Sequence, residues 1–208
     1  MSIAVENEFK LTTDKALNEE AVFNQLCSFL DAKKKTYVVK KKHSVDRYYD
    51  NKGLYIYNID SMVRLKNSSN GKVKLTLKRT ISKRKNMMSR KEIERPSDGT
   101  FKDVQDFARE EFPGIKLLEE PIFMIECLRY SIKYTDKVDI DLAFDRCTFM
   151  YGDHRKEFHE IELEFLSDYT NTDFDEIGIC KFINKELGFE PVTKSKYQRG
   201  VEWRNSLE

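Results

Sequence analysis

A chain of 208 residues, 35% of them charged and 39% hydrophobic, with a formal net charge of +1, can bury a core and is too apolar to be disordered. The N-terminus has no apolar leader segment, and no run approaches the roughly 18 apolar residues of a membrane span. We therefore expect one domain over residues 1–208, cytoplasmic, with no membrane partner. The near-zero charge conceals a sorted distribution. Between Met62 and Arg95, twelve basic residues accompany only Glu92 and Glu94, and from Asp139 to Glu190 the balance reverses. The acidic half opposes a general phosphate-backbone footprint, so no nucleic acid is expected.

In chain order, residues 3–11 read as a strand. A helix follows from about Ala16 to Leu30, with Val22, Leu26, Phe29 and Leu30 on one stripe. His43 to Tyr57 reads as a hairpin of strands turning at Asn51-Lys52-Gly53. Met62–Lys66 and Lys72–Arg79 form another, joined by the loop from Asn67 to Gly71. Lys83 to Asn86 is a basic connector, a solvated loop or a lid, and Ser89–Arg95 is the next strand. A second helix runs from Thr100 to about Glu111, before Pro113-Gly114. Strands recur at Phe123–Tyr134, Val138–Phe144 and His159–Phe165. A third helix begins near Thr172, carries Phe174, Ile177, Cys180, Phe182, Ile183 and Leu187, and ends at Gly188. The tail from Val192 to Trp203 carries Lys194 to Gly200.

Several of these strands alternate charged and apolar residues: Glu6, Glu8 and Lys10; Lys72, Lys74 and Lys78; Glu160, Glu162 and Glu164. Side chains alternate faces along a strand, so each has one polar and one apolar face. Like charges side by side repel, and a face chosen only for solubility would mix the signs. Segregated basic and acidic faces suit a polyanion that arrives with divalent cations. Such faces are too charged to bury against a second sheet, and apolar faces need cover. The expected fold is therefore α+β: a closed antiparallel eight-stranded β-barrel, a tunnel with a charged interior and helices packed outside. Three helices cover the apolar faces only in part, which makes a homodimer the expected assembly.

Taken together, the residues resemble the CYTH domain, or triphosphate tunnel metalloenzyme superfamily. Glu6-Asn7-Glu8-Phe9-Lys10 is similar to its E-x-E-x-K strand, and Asp46 to Asp50 to its aromatic-Asp hairpin. Arg64-Leu65-Lys66 resembles R-x-R/K, Leu75 to Lys78 resembles L-T-x-K, and Arg90 to Glu94 resembles R-x-E-x-E. Glu160-Ile161-Glu162 stands for the late E-x-E, and Ser195-Lys196 with Arg199-Gly200 for S-K-x-x-R-G. The likeness covers nearly the whole chain, with departures. Cys127 stands two residues before Arg129 where members often carry Lys; Lys133 could restore that cation by alternation. The metal-binding Asp is open among Asp139, Asp141 and Asp145. The segment Asp145 to Glu157 lacks the usual L-G-x-F spacing.

The resemblance implies hydrolysis of a triphosphate with divalent metal, Mg²⁺ or Mn²⁺ and a pair of ions, releasing orthophosphate. Tripolyphosphate is the first substrate expected, then a nucleoside or thiamine triphosphate. Lys10, Arg64, Lys66, Lys74, Lys78, Arg90, Arg129, Lys133, Lys196 and Arg199 are the expected substrate contacts, Arg gripping two oxygens and Lys acting as a point charge. Glu6, Glu8, Glu160, Glu162, Asp141 and Asp145 are the expected hard-oxygen metal ligands. Lys78, Arg90, Glu92 and Glu94 are the catalytic group, acting by positioning and charge stabilisation. Two rivals stand beside this reading: a class IV adenylate cyclase making cyclic AMP and pyrophosphate, and a non-catalytic polyphosphate or nucleotide sensor. Cys27, Cys127, Cys147 and Cys180 have no CxxC pairing and no zinc-ligand spacing, and Cys27 and Cys180, on the apolar stripes of expected helices, read as buried thiols. His159 reads as a packing or surface histidine, and Tyr48, Tyr49, Tyr55 and Tyr57 as cross-strand packing.

Overall fold

The computed structural model describes residues 1–84, 87–165, 175 and 177–207. Eight antiparallel strands form the barrel: β1 (Ser2–Thr13), β2 (Tyr37–Tyr49), β3 (Ser61–Ser68), β4 (Val73–Arg84), β5 (Met87–Pro96), β6 (Phe123–Thr135), β7 (Asp139–Tyr151) and β8 (His154–Phe165). Their order is β5-β4-β3-β2-β6-β7-β8-β1, and β1 also pairs with β5, so the sheet closes. Closure removes the edges along which an open sheet would pair with another chain. A two-residue strand, β9 (Glu190–Pro191), adds to β1. Five helices lie outside: α1 (Glu19–Ala32), α2 (Tyr55–Asn58), α3 (Phe101–Glu111), α4 (Ile179–Lys185) and α5 (Lys196–Asn205). Among the described residues no helix is long and apolar enough to cross a membrane.

Most of the apolar core lies around the barrel rather than within it. On one side α1 and α4 place Val22, Leu26, Leu30, Ile179 and Ile183 against Leu11, Ile132, Leu142, Phe144, Ile161 and Leu163, all on outward faces. On the other, α3 sets Val104, Phe107 and Ala108 against Val63, Leu65, Leu75, Leu77 and Ile93. Each buried Leu, Ile or Phe contributes about 1.5–3 kcal/mol. Capping fixes where the helices start. Asn18 accepts from the Ala21 amide and Thr100 from the Asp103 amide, which begins α1 three residues later than the apolar stripe predicts.

The structure corrects four further boundaries. The expected second strand of the hairpin ending at Tyr57 is a turn of helix instead. Asp50 accepts from the amides of Asn51, Ile56 and Tyr57 at 2.7–2.9 Å, and Leu54 enters the turn at φ 53°. The first strand of that hairpin starts earlier, at Tyr37, and β4 continues through Lys83 into the expected connector. Lys85 and Asn86 of that connector, with Thr172 and Phe174 of the third predicted helix, lie outside the described residues. Residues 145–157, where no strand was expected, complete the long β7–β8 hairpin around Gly152 at φ 52°.

A further correction concerns the tail, which forms α5. Its N-terminus carries a capping box, in which Ser195 accepts from the Gln198 amide and the Gln198 side chain accepts from the Ser195 amide. Tyr197 and Val201 pack on Phe123, Phe149 and Phe158, with Tyr48, Met62, Ile125, Cys127 and Cys147 in the same cluster. By strand alternation these residues share parity with Asp46, Arg64, Arg129, Asp145 and Glu160 and so face inward. The bore is therefore apolar at the α5 end rather than charged throughout.

Gly200 allows this helix to seat. A Cβ there would lie 2.3 Å from two ring carbons of Phe123. Alanine improves a helix interior by about 1 kcal/mol over glycine, yet we expect Gly200→Ala to destabilise the chain by about 1–3 kcal/mol through overpacking. Urea unfolding midpoints decide the sign; a gain in stability would show that Phe123 yields without cost.

Candidate active site

The inward positions of every barrel strand converge on one central cavity, joined by Lys196 and Tyr197 of α5 and by its N-cap Ser195. Seven cationic side chains line it: Lys10, Arg64, Lys66, Lys78, Arg90, Arg129 and Lys196. Four carboxylates, Glu6, Asp46, Asp145 and Glu162, line the same cavity, and Glu8, Glu92 and Glu160 pair with the lining cations Arg90, Lys78 and Lys196, so the two signs are balanced. The register dictates these meetings. Glu6 stands opposite Arg90, Lys10 opposite Glu162, Lys78 opposite Glu92, and Arg129 opposite Asp145.

On the β1–β4–β5 wall, Lys78 contacts Glu6 and lies 3.1 Å from Glu92. Arg90 contacts Glu8 and lies 3.3 Å from Glu6. Burial alone would raise the Glu6 carboxyl, but Lys78, Arg90 and Lys10 outweigh it and hold Glu6 at about 2. Glu8 is pushed up, by burial first and by Glu6 and Glu162, against Arg90 and Lys10.

Lys10 lies 3.2 Å from Glu8 and 2.9 Å from Glu162, joining this wall to the next. There Arg129 grips Asp145 through two hydrogen bonds of 2.7 Å and also reaches Glu162. Lys196 enters from α5 at 2.9 Å from both Asp145 and Glu162 and also contacts Glu160. The Asp145 and Glu162 carboxyls are held down against the burial that would raise them, Asp145 chiefly by Arg129 and Glu162 chiefly by Lys10. On the third wall Arg64 donates to Asp46 at 2.9 Å, while Thr76 and Lys74 each donate to Glu94 at 3.0 Å.

Lys66 differs from these. Among the described residues it has no hydrogen-bond or ion-pair partner, although it lines the cavity. Burial lowers its pKa, and Arg64 and Arg129 lower it further against Asp46. Beyond it, Lys40, Lys42 and Lys66 with the Ser68–Asn70 turn bound a depression at the end of β2 remote from Tyr48. The site thus has a basic rim at one end and the apolar seat of α5 at the other.

The candidate metal ligands separate. Oxygen atoms of Asp145, Glu160 and Glu162 lie within 4.8 Å of one another, a hard-oxygen set suited to Mg²⁺ or Mn²⁺. Lys196 contacts all three, Arg129 reaches Asp145 and Glu162, and Lys10 reaches Glu162. Asp141 instead accepts from Ser131 at 2.7 Å and lies 3.7 Å from Lys133, while Asp139 bonds Thr135 on the exposed surface. Asp145 is therefore the Asp grouped with the late Glu pair.

Some expected substrate contacts lie outside the cavity lining. Lys133 and Lys74 are on the half-exposed ends of their strands. Arg199 binds Thr12 at 2.8 Å, contacts Glu160 and covers the Phe158 ring at 4.5 Å, which ties α5 to the barrel. The other expected side chains are brought together. Glu164 and Lys42 were not assigned a role from the sequence, although alternation places Glu164 with Glu160 and Glu162, and Lys42 with Asp46. His159 is buried and stacks on Phe144 at 6.1 Å. Tyr48 stacks across the strands on Phe123 at 4.9 Å and on Tyr197 at 5.6 Å.

Together, barrel and charged bore define a CYTH, or triphosphate tunnel, fold. Solved structures with this fold are close in shape and distant in sequence. HpAC1 from Hippeastrum, proposed as an adenylyl cyclase and described as having a dominant triphosphatase activity, superposes with a TM-score of 0.60 at 17% identity, covering 95% of this chain and 96% of its own. A protein from Bacillus halodurans, proposed as an adenylate cyclase, gives 0.59 at 17% identity over 96% of this chain and 98% of its own. The PH1819 protein from Pyrococcus horikoshii gives 0.53 at 20% identity over 94% and 99%. No family model and no curated protein matches the sequence.

Glu164 gives the site a pH signature. Burial first, then Glu6 and Glu162, push its carboxyl up to about 7 from an ordinary 4.5. Between those values the folded chain keeps a proton that the unfolded chain has released, so stability falls as pH rises through about 7. In metal-free protein, Glu164→Gln should therefore gain on the parent at pH 8, by about 1–3 kcal/mol, and match it at pH 4. Thermal melts across that range measure it; equal slopes for both proteins would contradict the assignment.

Proposed function

We propose that this chain is a divalent-metal-dependent triphosphatase that binds a triphosphate in the barrel and releases orthophosphate. The observation that carries this reading is the convergence on one cavity of seven cationic side chains from six elements, interleaved with carboxylates that could hold divalent cations. An extended anion with several phosphoryl groups fits such a lining better than a compact one does, because the cations are distributed around and along the bore. HpAC1, with its described triphosphatase activity, supports the same choice. Tripolyphosphate is the first candidate; nucleoside and thiamine triphosphates follow.

Charge exchange gives the residues their roles. Lys66 has no carboxylate to leave and can meet a phosphoryl oxygen directly. Lys78, Arg90 and Arg129 turn from Glu6, Glu92, Glu8, Asp145 and Glu162 toward phosphate, the two guanidiniums each gripping a pair of oxygens. The carboxylates so released are the hard ligands that fit a divalent cation: Glu6, Glu8 and Glu162, with Asp145 and Glu160 beside them. Mg²⁺ or Mn²⁺, as a pair, would orient the phosphates and activate water for in-line attack. Glu92 and Glu94 would accept hydrogen bonds from that water, and Lys78 and Arg90 would stabilise the charge developing at the transferred phosphoryl group.

A cyclase reading has its own support, since the Hippeastrum and Bacillus halodurans structures are both proposed as adenylyl cyclases. It requires a base pocket beside the triphosphate. The cavity-lining aromatics Tyr48 and Tyr197 are already stacked on each other and on Phe123, which favours the triphosphatase.

Purified protein with Mg²⁺ or Mn²⁺ should release orthophosphate from tripolyphosphate. Lys78→Ala and Glu8→Gln should each reduce the rate by about 100-fold or more. Cyclic AMP and pyrophosphate from ATP would establish the cyclase instead, and metal-dependent binding with neither product would leave a sensor. Lys66→Met separates binding from folding: it should raise the melting temperature of ligand-free protein, because a half-buried ammonium with no ion-pair partner is removed, while raising KM for tripolyphosphate. A lowered melting temperature would mean that Lys66 has a structural partner.

A further inference from the structure

Cys127 and Cys147 stand directly opposite each other on β6 and β7, and their sulfurs are 3.6 Å apart. Both side chains point into the barrel. Cys127 is 8% exposed and lines the cavity, whereas Cys147 is fully enclosed. A carboxylate oxygen of Asp145, two residues before Cys147 on the same inward face, lies within 4.8 Å of both sulfurs. Tetrahedral zinc with metal–sulfur bonds of about 2.3 Å places two sulfurs about 3.8 Å apart, so the pair needs almost no rearrangement to share one ion.

We propose that Cys127, Cys147 and Asp145 form a binding site for a thiophilic divalent cation, zinc or cadmium, in the wall of the bore. It goes beyond the triphosphatase reading and does not depend on it. Soft thiolates select such ions over Mg²⁺, whose preferred partners are carboxylate and water oxygens. The set is therefore chemically distinct from Asp145–Glu160–Glu162, although Asp145 is common to both. Each ion captured displaces two thiol protons to solvent, with no electron transfer. Asp145 exchanges one of its contacts, Arg129 or Lys196, for the ion. The cavity supplies the fourth position, to water.

The test uses the full chain, reduced and free of phosphate, titrated with Cd²⁺ alone. We expect a thiolate-to-cadmium charge-transfer absorption that saturates at about one ion per chain and persists in a large excess of Mg²⁺. Cys127→Ser and Cys147→Ser should each weaken binding by more than about tenfold, whereas the Cys27→Ser/Cys180→Ser chain should bind as the parent does. Should the inward serines prevent folding, X-ray absorption at the cadmium edge of the Cys27→Ser/Cys180→Ser complex decides: two sulfur neighbours support the site. No charge-transfer band, an oxygen-only shell, or binding retained in the Cys127→Ser/Cys147→Ser chain would overturn it.

Discussion

Everything in this barrel depends on meeting charge with charge among side chains largely withdrawn from solvent. Removing an ammonium or carboxylate from water costs several kcal/mol, and a neighbouring opposite charge repays it only with good geometry. The bore contains such groups on all sides and sets several in register with an opposite charge, Glu6 against Arg90 and Lys10 against Glu162, while Glu8 stands against Glu164 and Asp145 against Glu160. Replacement by apolar residues would often stabilise a fold as well or better. Stability is instead supplied by the two clusters outside the barrel, where α1, α3 and α4 cover the outward faces. The division leaves the interior free to be chosen for what it binds.

On the proposed function, that separation also gives a reason for an anion and divalent cations to bind in the bore together. An anion alone would draw Lys78, Arg90 and Arg129 from their carboxylates and leave buried negative charge behind. Metal ions alone would free the cations without partners. Arriving together, each satisfies the groups the other releases. Lys66 lies outside this exchange, with burial and like charges already against it, and under the proposed function it would meet a phosphoryl group without leaving a carboxylate.

The barrel was legible because its inward face is charged. Glu6, Glu8 and Lys10, or Glu160, Glu162 and Glu164, mark a period of two that helix or loop would not produce. Where the bore becomes apolar, the mark disappears. In Asp145–Tyr151 the inward Cys147 and Phe149 are as apolar as their surroundings, and the outward Arg146 and Thr148 are polar, so the strand lost its expected polarity and was not recognised. The run Lys40-Lys41-Lys42 hid the first half of β2 for the opposite reason, by placing charge on both faces. The helical turn after Tyr49 was hidden more deeply. It is organised by the buried carboxylate of Asp50, a single polar side chain with no periodicity to announce it. The charge signs marked strand residues that the barrel turns toward one cavity, but not the position of α5, which adds Lys196 and Tyr197 to its lining.

Helix α5 joins fold and site most closely. Asp50 accepts from the Tyr197 hydroxyl at 2.7 Å while holding the turn of α2, and Gln198 donates to Asp60 at 2.8 Å. Gly200 removes the side chain that would meet Phe123, and Ser195 starts the helix where Lys196 can enter the bore. One residue on the helix is thus buried among aromatics, and its neighbour in sequence is held among Asp145, Glu160 and Glu162. A helix displaced by one turn, about 5.4 Å, would withdraw the ammonium and leave three carboxylates facing one another. The apolar plug and the charged centre therefore fix each other: packing at Tyr197 sets the position of Lys196, and the carboxylates penalise any packing that moves it.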